Sequence, residues 1–154
     1  MNLKISNNTM NTTKTLNHLI EICKDGQDGF RESGENTKHS ELTTLFGNYS
    51  QQRATFAAEL HELVNELGEE AETTGSTAAA AHRSWIDLKS AITNGSDHAI
   101  LTECERGENF AVSAYRNALE EELPPHIRSV VALQSAGVQL AHDDVCNRRA
   151  AAAA

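Results

Sequence analysis

The chain reads as an all-α protein, a bundle of four long helices. Three observations predict it. Apolar residues recur at steps of three and four along most of the 154 residues, and nowhere in strict alternation. Proline occurs only at Pro124 and Pro125, so nothing breaks the helical segments internally. The turn-forming stretches fall where two short connections and one long one would be needed.

The elements follow in order. Residues 1–12 are polar and rich in Asn and Thr, which predicts a disordered tail. A first helix is predicted from Thr15 to Asn36, with a stripe of Leu16, Leu19, Ile20, Cys23, Gln27 and Phe30. A second is predicted from Ser40, taken as the N-cap, to Leu67, just before Gly68. Its stripe holds Leu42, Leu45, Phe46, Tyr49, Gln52 or Arg53, Phe56, Leu60, Leu63 and Leu67. A polar turn-rich stretch, GEEAETTGST, leads to a short helix over 77–93, with Ala81, Trp85, Leu88 and Ile92 on one face. Trp85 is expected to anchor that helix to the bundle. The next long helix covers 97–122, with Leu101, Cys104, Glu108, Ala111 and Tyr115 in register. Pro125 suits the first turn of the last helix, whose stripe is Ile127, Val130, Val131, Gln134, Val138, Ala141 and Val145. The domain is expected over 13–149, with residues 150–154 as an alanine tail.

Connection lengths predict the topology. The first two long helices are joined near Lys38 and the last two at the prolines, so each pair forms an antiparallel hairpin. Between the hairpins lie residues 68–96. A helix of ~26 residues is ~39 Å long, and this stretch is long enough to carry the chain from one end of a bundle to the other. Hairpin, crossover, hairpin is the plan of ferritin-like bundles. The motifs CKDGQ (residues 23–27) and CERGE (residues 104–108) fall at similar places in the first helix of each hairpin, as an internal two-fold would require.

The runs TLNHLIEICKDGQDGFRE, YSQQRATFAAELHELVNELG, HRSWIDLKSAI, ILTECERGENFAVSAY and AHDDV resemble a bacterial family of ferritin-like four-helix bundles of unknown function. The resemblance spans roughly Thr15 to Arg149. It implies the ferritin-like fold and brings no substrate, cofactor or catalytic residue with it.

A di-iron centre in such a bundle needs a Glu from each of two helices and Glu-x-x-His from each of the other two. No long helix here carries Glu-x-x-His. Glu59, Glu105, Glu108 and His142 are the nearest candidates, with Glu105 placed opposite His142; a flank salt bridge explains that pair as well. The polar residues on the core stripes are Gln27, Gln52, Glu108 and Gln134. Amides bring no charge to a metal, so a structural layer of hydrogen bonds is expected there, with Glu108 buried among donors such as Gln27, Gln52, Arg53 or Gln134. Cys23 and Cys104 read as small buried groups, and Gly26 and Gly107 as sites of close packing between the first and third long helices.

No phosphate loop, nucleophile elbow or zinc knuckle is present, so no catalytic residue is expected. A net charge of -9 without a basic patch argues against nucleic acid. No stretch is apolar enough to span a membrane. Three scattered cysteines fit reduced thiols in the cytoplasm. Apolar residues off the main stripes, such as Ile22, Val64 and Val112, point to a homo-oligomer. The expected role is a non-enzymatic structural or interaction module with no cofactor. The alternatives are a bundle that binds iron or manganese at an altered site, and a small-molecule binder floored by the polar layer.

Overall fold

The structure, a computed structural model, describes residues 3–69 and 96–152. They form four helices: α1 (Leu3–Asn36), α2 (Ser40–Glu66), α3 (Asp97–Glu120) and α4 (Pro125–Ala151). The described residues include no strand. The predicted short helix over 77–93, with Trp85, lies outside them.

The helix ends differ from expectation at two places. α1 begins at Leu3, so helix occupies residues 3–12, where the composition suggested a disordered tail. Asn and Thr have weak helix propensity, but Thr12 and Thr13 are buried, and Asn8, Thr9 and Thr12 share a cleft with Leu67, Leu123 and Pro124. Tertiary packing there outweighs local preference. The N-cap of α2 is His39, not Ser40, and its side chain makes no capping bond. The signals at Gly68 and Pro125 hold, and Ser96 adds a cap that was not expected. Gly68 has φ +79°, the left-handed conformation that a helix C-terminus favours in glycine. Ser96 caps α3 by accepting from the Ala99 N–H at 3.3 Å. Pro125 opens α4. Arg128 donates to the carbonyls of Leu119 and Glu121 at 2.8 and 2.6 Å. It thus gives the end of α3 a cation despite the acidic run Glu120 to Glu122.

Contacts between helices fix their directions. Ser50 of α2 donates to the Gln27 carbonyl of α1, and Phe46 lies against Gly34. Numbers fall on one helix as they rise on the other, so α1 and α2 are antiparallel. The same holds for α3 and α4, where Tyr115 meets Gln134 and Asn109 meets His142. It holds also between the pairs: Cys23 with Tyr115 and Thr37 with Asp97, then Glu41 with Arg148 and Tyr49 with Asp144. α1 and α4 therefore point one way, and α2 and α3 the other. The chain leaves α2 at one end of the bundle and starts α3 at the other.

The core is divided by height. One apolar cluster includes Leu16, Leu19, Leu60, Tyr115, Ile127 and Val138. The other includes Phe30, Phe46, Ile100, Leu101, Cys104 and Val145. Arg53 of α2 and Glu108 of α3 sit between them in sequence on their helices and are almost fully buried. Ile22 and Val64, expected on an oligomer face, are instead buried in this chain, and Val112 is half-buried. Among the described residues the large apolar side chains that are exposed are Met10, Leu133 and Leu140.

Candidate functional site: a buried ion pair at mid-bundle

Arg53 reaches the core from α2 because it falls on the same helical face as Phe46, Ala57 and Leu60. Glu108 does so from α3, one turn beyond Cys104 and one before Ala111. Their side chains are 1% and 0% exposed. The pairing is bidentate: Arg53 Nη1 donates to Glu108 Oε1 at 2.7 Å, and Nη2 to Oε2 at 2.6 Å. Arg53 Nε donates to Gln52 Oε1 at 3.2 Å. The guanidinium carbon lies 5.3 Å from the centre of the Phe30 ring, a cation–π contact. Burial works against the Arg53 charge. The Glu108 carboxylate and its hydrogen bonds more than offset it, so the guanidinium pKa ends above its ordinary value.

This geometry accounts for Gly26 in CKDGQ. A Cβ there would lie 3.2 Å from Arg53 Nη1 and 3.4 Å from its Cγ. The expected close packing of α1 and α3 is therefore not the reason for this glycine; the missing side chain makes room for the guanidinium. Gly107 in CERGE is buried.

The expected amide layer is corrected in its membership. Glu108 is buried and hydrogen-bonded, as its spacing predicted, and its donor is Arg53. Gln52 joins through Arg53. Gln134 belongs to a separate chain: Tyr115 donates to Gln134 Oε1 at 2.7 Å, and Gln134 Nε2 donates to Glu59 Oε1 at 2.9 Å. Cys23 Sγ lies 3.1 Å from the Tyr115 hydroxyl. Gln27 is half-buried, and its backbone carbonyl accepts from Ser50. The register of α3 on α4 explains the change. Asn109 sits beside His142, so Glu108 lies about two turns from Gln134 along α4.

The four metal candidates are dispersed. Glu108 is held by Arg53. Glu59 is exposed and accepts from Gln134. Glu105 does not lie opposite His142 as expected: His142 sits beside Asn109 and Glu105 beside Cys146, about one turn away, and each has other partners. Glu105 pairs with Arg149 and accepts the Cys146 thiol at 3.0 Å. His142 Nε2 is 2.7 Å from Asn109 Oδ1, Nδ1 is 3.1 Å from Asp143 Oδ1, and Cys146 Sγ is 3.6 Å from Nε2. Cys146 thus stands between the two, a neighbour the sequence reading did not assign. Burial, then the Glu105 bond and charge, push the Cys146 thiol up to about 12, so it keeps its proton at neutral pH. Among the described residues no three His, Cys, Asp or Glu side chains form a group that could hold a metal ion. Among the described residues Glu108 carries the one fully buried carboxylate, and the Arg53 guanidinium already occupies both its oxygens. That arrangement does not fit a centre built from several carboxylates and imidazoles.

Arg53 is the residue the sequence reading undervalued, naming it as one of several donors. Its signal was its isolation: it is the one charged residue in 42–58 of a chain that is 23% charged.

These features define a class: an all-helical bundle whose polar centre neutralises itself. The chain belongs to a family described as a domain of unknown function (DUF2383), whose profile matches residues 11–121. The match runs through α1, α2 and α3 and ends before α4. No curated protein matches the chain. No helix among the described residues is long and apolar enough to cross a membrane.

Proposed function

We propose that the chain is a ferritin-like bundle acting as a structural or interaction module, without chemistry of its own, in the bacterial cytoplasm. The single observation that carries this reading is the bidentate Arg53–Glu108 pair. In a ferritin-like bundle the mid-core carboxylates exist to hold cations. Here the cation is part of the polypeptide, and its charge satisfies the carboxylate. The ferritin-like assignment draws support from the helix directions, with α1 parallel to α4 and α2 parallel to α3. The three free thiols, Cys23, Cys104 and Cys146, suit a reducing compartment.

The test is calorimetric titration of chelator-treated protein with ferrous and manganous ions, together with metal analysis of protein purified without chelator. No stoichiometric metal is expected in either experiment. A pair of tight equivalents per chain, lost together in Glu108→Ala and His142→Ala, would replace this reading with the altered metal-binding bundle.

A further inference from the structure

The middle stretches of α2 and α4 are nearly free of charge, and exposed charges return on either side of them, at Glu41 and Glu59 on α2 and at Arg128 and Asp143 on α4. Residues 42–58 of α2 contain one charged side chain, Arg53, and it is inside the core. Residues 129–141 of α4 contain none. At the chain's 23% charged content, these two runs together would be expected to hold about seven. α1 shows the contrast, with Lys14, Lys24, Asp28, Arg31 and Glu35 all exposed. In the uncharged surface of α4 stand Leu133 and Leu140, 78% and 72% exposed. Seven residues apart, they share one stripe, with exposed Ala136 between them. Beside this stripe Gly137 lets α4 approach Phe56 and Gln52 of α2, so the two helices present a continuous face.

The geometry points to an isologous dimer through this face, with a second copy of the chain as its occupant. Two features select that partner. The chain carries a net charge of -9, so two copies repel over most of their surfaces and can approach closely only where charge is absent. An uncharged face also has nothing to offer a basic peptide or nucleic acid. The stripe is moreover self-complementary. Leu133 and Leu140 lie symmetrically about Ala136 and Gly137. If α4 packs antiparallel on its own copy across a two-fold axis at that point, each Leu133 meets the partner's Leu140. Ala136 at the axis permits a close helix approach. The exposed, neutral Asn48, Gln51 and Thr55 of α2 form one rim, which ends at the Glu59 carboxylate held by Gln134. The patch measures roughly 20 Å by 20 Å, from the rise of 1.5 Å per residue and an interaxial spacing near 10 Å. That is about 400 Å² per copy and about 800 Å² in total, below the roughly 1,000 Å² that a stable interface clears, so the dimer is weak and reversible.

Sedimentation velocity of the full chain, from about 10 μM to about 1 mM, reads the equilibrium. The mass should rise from 16.8 kDa towards twice that value, and added salt should not reverse the rise. Leu133→Glu with Leu140→Glu should hold the chain monomeric with its helical circular dichroism unchanged, since both positions face solvent. Ala136→Cys should give a disulfide-linked dimer on mild oxidation. A wild-type chain that stays at 16.8 kDa throughout, or a double variant that dimerises as well as wild type, overturns the proposal. So does a dimer that salt dissociates.

Discussion

At the scale of the residue, the Arg53–Glu108 pair decides how the core holds a charge. Removing two ions from water is expensive, and their attraction and hydrogen bonds roughly repay it only while both are present. Arg53→Met alone should therefore lower stability by about 3–5 kcal/mol, because Glu108 would remain buried without its donor. Glu108→Leu alone should do similar harm. The double variant Arg53→Met with Glu108→Leu should recover most of the loss. Urea unfolding of all four proteins measures this cycle, and additive losses would mean that the pair is not coupled. Gly26 belongs to the same unit, since the guanidinium occupies the space its side chain would fill.

At the scale of the element, α3 and α4 are joined by more than apolar contact. Tyr115 is fully buried, and its hydroxyl donates to Gln134, which in turn donates to Glu59 on α2. One amide thus links three helices. A neutral apolar replacement would look harmless from the helix pattern alone, where Gln134 is one polar interruption in a stripe of valines. In the structure it would leave the buried Tyr115 hydroxyl without its acceptor. Gln134→Leu should lower the stability of the chain by about 1–3 kcal/mol in denaturant unfolding. An unchanged or raised midpoint would show that Tyr115 finds another partner, with the neighbouring Cys23 thiol the nearest group.

At the scale of the whole molecule, several buried weak acids make folding sensitive to alkali. Burial raises the Cys23 thiol to about 11 and the Cys104 thiol to about 12, against an ordinary 9.0. Burial and the nearby Cys23 also put Tyr115 well above its ordinary value of 10.0. The unfolded chain gives up these protons first. Each group's contribution is complete below its unfolded pKa and is lost as pH rises through the folded one. For the two thiols that window runs from 9.0 up to about 11 and about 12. Stability should be level to about pH 9 and then fall, by at most roughly 1.4 kcal/mol per pH unit for each group. Urea midpoints at about pH 7, 9 and 10.5 test this, and a midpoint that rises above pH 9 would contradict it.

The sequence by itself determined the four long helices, their hairpin pairing and the burial of Glu108. Helix period and connection length are properties of neighbouring residues, so they are readable along one chain. The same is true of Gly68, Pro125 and the stripe from Leu16 to Phe30. Tertiary structure alone decided who meets whom. A shift of one residue in a helix turns a side chain by 100° and moves it about 1.5 Å, so the partner of Glu108 depends on helix rotations that no local pattern contains. Arg53 therefore took the place expected of an amide, Gln134 found Tyr115, and Cys146 came between Glu105 and His142. The start of α1 at Leu3 and the burial of Ile22 and Val64 follow from the same cause. Packing against other parts of the chain outweighed weak local propensity in the first case, and in the second it covered residues that lie off the predicted stripe.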